Sequence, residues 1–216
     1  MWNWDYAFQI LPELLNVLPI TISATLLGFL VACLLGLPLA LVRRSRNRMI
    51  SGAAFAVMEF IRSTPLLVQL FVLFYVLPIY GVSFSPMVTG VIGLGVHYST
   101  YMSEVFRSGI DAVPKGQWEA SKALNFSAKR TWMSIILPQA LPPVIPVMGN
   151  YLITMFKETP ILSAITLVEL LQTAKAIGSG SFKYLEAFTL VGILFLLLSY
   201  PSSLLVRKLE IHFQRK

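Results

Sequence analysis

Charge is scarce in this chain. Asp, Glu, Lys and Arg together supply 12% of its 216 residues, while hydrophobic residues supply 56%. A soluble domain carries roughly a quarter charged residues. With so few, this chain could not cover its surface in water, and a bilayer as solvent removes the conflict. Cysteine is scarcer still: Cys33 stands alone, which excludes a disulfide scaffold. No GxxxxGK[ST] phosphate loop occurs and no glycine-rich loop joins a strand to a helix, so no nucleotide site is expected on this chain. The only histidines, His97 and His212, lie far apart, and no Cys/His cluster has metal-ligand spacing. No GxSxG elbow is present either, so neither catalysis nor a bound cofactor or metal is expected. The net charge of +7 does not indicate nucleic acid, because no basic stripe is interleaved with stacking aromatics.

Long apolar runs fill the chain instead. Leu14 to Val42 carries no Lys, Arg, Asp or Glu, and about 20 apolar residues suffice for a helix to cross the hydrocarbon core. A signal peptide does not fit: the preceding residues hold Asp5 and Glu13 with no basic residue, and the run is too long. The pattern predicts an all-α integral membrane protein of a single domain, with five spans at about 16–42, 53–77, 87–106, 139–156 and 187–206. The second span contains Pro65, which should kink it and free backbone carbonyls.

The basic residues orient these spans. Arg43, Arg44, Arg46 and Arg48 form one cluster. Arg107, Lys115, Lys122, Lys129 and Arg130 form a second, and Arg207, Lys208, Arg215 and Lys216 a third. With five spans, all three clusters fall on one side. The positive-inside rule then places the N-terminus outside and the C-terminus in the cytoplasm. Trp2, Trp4, Tyr6 and Phe8 suit an aromatic belt at the outer interface.

Segment 109–138 is the longest cytoplasmic stretch under this topology. It reads as two short helices joined at Asn125. Pro114 suits a first helical turn, Asn125 can take the left-handed conformation that ends a helix, and Ser127 can cap the next one. Trp118, Ala120, Ala123 and Leu124 offer apolar and small side chains. Two readings fit: a helix lying on the headgroups, or a close-packed seat for a partner protein.

At these residues the chain resembles the EAA loop of bacterial ABC importer membrane subunits, whose pattern is E-A-A, three residues, G, nine residues, then I-x-L-P. Glu119, Ala120, Ser121, Asn125, Ile135, Leu137 and Pro138 fall in its register, with Ser121 replacing Ala and Asn125 replacing Gly. RSTPLLVQLFVLFY (62–75) is similar to the RGTPLLVQL segment of the polar amino acid uptake permeases, and SEVFRSGIDAVPKGQWEA (103–120) to their AEIFRGGIxAVPKGQxEA. LPQALPPVIPVMGN (137–150) and KETPILSAITLVEL (157–170) resemble further family stretches, so the likeness covers about residues 15–208. The opening WDYAFQILPELL resembles permeases for ectoine and hydroxyectoine.

The resemblance implies the type I ABC importer permease fold in the bacterial cytoplasmic (inner) membrane. It implies an importer of polar amino acids or similar small zwitterionic solutes. Its expected partners are a pair of ATPase subunits, a second permease subunit, identical or not, and an extracytoplasmic solute-binding protein, with lipid around the spans. ATP would be used by the ATPase partner and no cofactor held by this chain. The coupling helix would comprise Gln117, Trp118, Glu119, Ala120, Ser121, Ala123, Leu124 and Asn125. A passive channel or a secondary transporter subunit is the other reading of the composition, but neither needs an ATPase seat.

A few polar residues stand within or beside the spans. Glu59 and Arg62 lie three apart on one helical face; they form either a packing ion pair or part of the solute pathway. His97, Tyr98 and Tyr101 make the most polar patch inside any span, open to helix–helix hydrogen bonding or to a pathway role. Lys157 and Glu158 are either an outer boundary or, if Pro160 breaks the span, cavity residues. Glu104 and Arg107 repeat the three-residue spacing as a packing pair or gate.

Overall fold

A computed structural model describes residues 2–214. Arg215 and Lys216 of the basic tail lie outside the described residues. Among those described, the secondary structure is helical throughout: α1 (Trp4–Arg43), α2 (Arg48–Ser63), α3 (Leu66–Phe71), α4 (Pro86–Ala112), α5 (Lys115–Ala123), α6 (Ala128–Arg130), α7 (Leu137–Ala140), α8 (Val144–Glu158), α9 (Leu170–Ser181) and α10 (Tyr184–Gln214). A π-helical turn and a 3₁₀ turn carry α3 on to Tyr80, a second π segment joins α6 to α7, and a 3₁₀ turn, Thr159–Ile165, follows α8.

By length and apolarity, α1 and α10 can each cross a membrane alone, and up to four segments can if two bent pairs each count as one span. The first bent pair breaks the expected second span, 53–77, at the Pro65 kink that its sequence predicts. Its two halves, Arg48–Ser63 and Leu66–Tyr80, meet at 97°. The cause is local. Pro65 has no N–H to donate and disfavours helical backbone at the preceding residue, and Thr64 is extended (φ −100°, ψ 137°). The second pair bends by 64° between Ala128–Ala140 and Val144–Ile165, where Pro142 and Pro143 interrupt the run. Its second helix therefore begins at Val144 instead of residue 139. The first helix begins at Trp4, twelve residues before the expected span, and at 1.5 Å per residue its 40 residues reach ~60 Å.

The most extensive packing is α1 against α4. Small residues make it possible. A Cβ on Gly36 would stand 2.6 Å from Met102 Cβ and 3.1 Å from the Ser99 carbonyl, and one on Gly95 would collide with Val31. Close backbone approach through small residues is how helices pack where lipid supplies no hydrophobic drive. Around this seam Leu66, Leu70, Leu94, Met102, Phe106, Met155 and Leu162 form the central core. Two buried hydroxyls, those of Thr25 and Thr159, lie 2.6 Å apart and join α1 to the turn after α8. At the other end of α4, Arg107 holds Glu104 (2.6 Å) and Asp111 (3.0 Å). Arg43 and Arg44 at the end of α1 reach Glu104 and Asp111 respectively. Glu104 and Arg107 are thus a packing network between the two helices.

Candidate solute cavity and coupling loop

The break at Thr64–Pro65 opens a cavity of about 720 Å³ between the α2–α3 bend, α4 and the end of α8. Arg62, His97, Tyr101, Lys157 and Glu158 line it, together with Thr64, Pro65, Pro160, Ile161 and Leu171. Each polar group arrives for a local reason. Arg62 sits in the last turn of α2, next to the break. Lys157 and Glu158 end α8, where Pro160 turns the chain into the 3₁₀ segment. His97 and Tyr101 are four apart and so share one face of α4.

Two of the residues named as pathway candidates do not line this cavity. Glu59 is exposed and outside the cavity lining, and its Oε2 accepts from the Arg62 guanidinium at 2.8 Å. Tyr98 stands behind the wall: it is buried, and its hydroxyl donates to Glu158 Oε2 at 2.7 Å. The rings of Tyr98, Tyr101 and Tyr151 form an aromatic cluster, with centroids 5.6–6.1 Å apart. Gln69 escaped the sequence reading. Its Nε2 donates to the carbonyls of Ile61 (2.6 Å) and Thr64 (3.1 Å) and to Thr64 Oγ1 (2.7 Å), so it ties the two arms of the bend together. A lone amide four residues after a proline, inside an apolar run, was the available signal.

The segment after α8 also contributes. Glu169 is fully buried, and its carboxylate accepts from Leu171 N (2.9 Å) and Gln172 N (2.8 Å), capping α9. That cap sets Leu171 on the cavity wall.

The loop between α4 and α7 forms as its residues predict, with one shift: Pro114 is the residue before α5, not part of its first turn. Asn125 has φ 49°. Phe126 N donates to the Ser121 carbonyl (3.0 Å) and Asn125 N to that of Lys122 (2.9 Å), the pair of bonds that closes a helix on a left-handed residue. Ser127 accepts from Arg130 N. The face is divided. Trp118 packs edge-on against Trp132 at 5.2 Å, beside Ile110, Val113 and Ile136. Ser121 is buried and donates to the Gln117 carbonyl at 2.7 Å. Gln117, Glu119, Ala120, Ala123, Leu124 and Asn125 are exposed, Leu124 by 64%. The ring that could have anchored α5 to headgroups is engaged within the chain, while an uncommitted apolar and small-residue face points away from it.

The model of the family described as binding-protein-dependent transport system inner membrane component matches residues 24–214, and the chain belongs to that family. It is a permease subunit: a multi-pass inner-membrane transport component, not an enzyme, in a system whose ATP is used by a partner ATPase and whose solute comes by way of a binding protein. A probable amino-acid ABC transporter permease of Sinorhizobium fredii is 47% identical over 100% of this chain and 96% of its own length. The L-cystine transport system permease TcyB of Bacillus subtilis is 35% identical over 96% of this chain and 91% of its own. A crystal structure of an amino acid ABC transporter with histidines superposes with a TM-score of 0.89 at 30% identity, covering 98% of this chain and 99% of that one. The inward-facing MetNI methionine transporter shares the fold, with a TM-score of 0.73 at 21% identity.

Proposed function

We propose that this chain imports amino acids through the cavity at the α2–α3 break, as one of two membrane subunits driven by an ATPase pair seated on α5. The observation that carries the reading is the presence of a guanidinium, Arg62, and a carboxylate, Glu158, on one cavity wall. An α-amino acid offers the complementary pair. Its carboxylate meets the Arg62 guanidinium, whose Nη2 is steadied by Glu59. Its ammonium meets Glu158, oriented by the Tyr98 hydroxyl. Charged groups at membrane depth are costly and gather where a solute passes. Relatives named for amino acids, L-cystine and arginine support the same solute class. The ectoine resemblance rests on residues 4–15, none of which lines the cavity, so it bears little on solute choice.

In this reading the exposed face of α5 seats in the ATPase, and displacement of that seat rocks the helices around the cavity. The second permease subunit is a copy of this chain or a sister chain. The test is uptake of a tritiated L-amino acid mixture by the assembled importer, with its ATPase and binding protein, in proteoliposomes. Arg62→Gln and Glu158→Gln should each lower uptake by about tenfold or more, as expected for removing a charged hydrogen-bond partner. Unchanged uptake in both would overturn the cavity assignment.

A further inference from the structure

His97 stands between two surroundings. One edge of its ring carries Nδ1, which lies 3.2 Å from Gln69 Oε1. Its other edge carries Nε2, which has no protein partner among the described residues, and His97 lines the solute cavity where Gln69 does not. Gln69 instead lines a second groove, with Phe60, Ile61 and Val72.

The orientation of the Gln69 amide decides the chemistry. Its nitrogen is surrounded by the Ile61 carbonyl, the Thr64 carbonyl and Thr64 Oγ1, all within 3.1 Å. Both carbonyls are acceptors, and Thr64 Oγ1 has its own proton directed at the carbonyls of Phe60 and Ile61 (3.1 and 3.0 Å). A flipped amide would set its oxygen against all three. The end facing His97 is therefore the carbonyl, an acceptor only. A contact with an acceptor requires Nδ1 to carry the proton, and a neutral imidazole protonated at Nδ1 has a bare lone pair at Nε2.

We propose that Gln69 is a positioning residue: by clamping both arms of the Pro65 bend it holds His97 in the Nδ1–H tautomer, so that the imidazole offers Nε2 to the cavity as an acceptor for an N–H or O–H donor of the solute. This rests on the cavity being the solute station. It makes the helix break a source of specificity as well as of space, since the amide that satisfies the freed carbonyls also fixes what the cavity wall can accept.

The test has two arms. The first uses the assembled importer carrying His212→Gln, purified on a tag without histidine, so that His97 is the only histidine of this chain, with ¹⁵N-histidine incorporated into this chain alone. Its nitrogen spectrum should show Nδ1 bonded to hydrogen and Nε2 bare, and Gln69→Leu should return the ring toward the Nε2–H form that a free histidine side chain prefers. Nε2–H in the unmodified site would overturn the proposal. The second arm compares His97→Gln, which keeps an acceptor near the Nε2 position, with His97→Asn, which keeps only a donor near the Nδ1 position. Uptake of the tritiated L-amino acid mixture should fall by about tenfold in His97→Asn, and His97→Gln should retain most of it. The reverse order would show that the tie to Gln69 is purely structural and would sink the proposal. Normal uptake in both variants, together with normal uptake in Arg62→Gln and Glu158→Gln, would instead bring down the cavity reading itself. Normal uptake in both with loss in those two would leave the cavity in place and remove His97 from it.

Discussion

The hydroxyl of Tyr98, in the middle of α4, donates to Glu158 at the end of α8 across 2.7 Å. This bond joins α4 to the end of α8 at the cavity through one of the two Glu158 carboxylate oxygens. Tyr98→Phe keeps the ring contacts with Tyr101 and Tyr151 and removes only the donor. Half-saturation for uptake should rise by about three- to tenfold, less than the full loss of a hydrogen bond to a charged group, because Tyr98 acts on the solute only through Glu158. Membrane abundance should stay unchanged. A Tyr98→Phe importer with unaltered half-saturation would show that Glu158 needs no such orientation.

Coupling is tested on α5. Glu119→Lys reverses a charge on its exposed face, and Ala120→Trp overfills a close contact. Neither side chain packs into the protein. Both variants should insert at near-normal abundance, lose uptake and retain less ATPase on affinity capture. Trp118→Ala should behave differently. It removes the edge-on contact with Trp132 and should loosen the loop itself, read as faster proteolysis between residues 113 and 130. Full ATPase retention with full uptake in both Glu119→Lys and Ala120→Trp would defeat the assignment.

The α1–α4 seam gives a stability prediction with a built-in control. Gly36→Val places a Cβ 2.6 Å from Met102 Cβ, against a helix whose backbone is the next obstacle. Overpacking of this kind costs about 1–3 kcal/mol or more, and the thermal midpoint of the purified subunit should fall by several degrees. Gly52→Ala meets nothing within 4 Å and lies inside α2, where Ala is the better helix former, so its midpoint should hold or rise. Equal midpoints for Gly36→Val and the unmodified chain would disprove the tight seam.

The basic clusters require α4, 27 residues long but less apolar than α1 and α10, to cross as the third span. Reporter fusions after Arg48, at Ser83, at Asn125 and at the C-terminus should read in, out, in and in. An external signal at Asn125 would defeat the orientation and the ATPase seat together.

The residue order alone determined what depends on composition or on a few neighbouring residues. Scarcity of charge required a membrane, where only helices or closed barrels satisfy the backbone, and continuous apolar runs of about 20 residues selected helices. Pro65 set the place of the break, and Asn125 and Ser127 set the turn between α5 and α6, since a missing N–H, a tolerated left-handed φ and a short capping side chain act within a few residues. The tertiary structure decided which polar side chains share a cavity. Spacing placed Glu59 and Arg62 on one helical face, yet only Arg62 reaches the cavity. The patch around His97 split between the wall and a buried Tyr98, and the partners of that patch came from Gln69 and Glu158, 28 and 60 positions away. A buried polar group must find some partner, and periodicity says which face it lies on. Which partner it meets depends on the angle at which Pro65 bends one helix and on how closely Gly36 and Gly95 let two others approach.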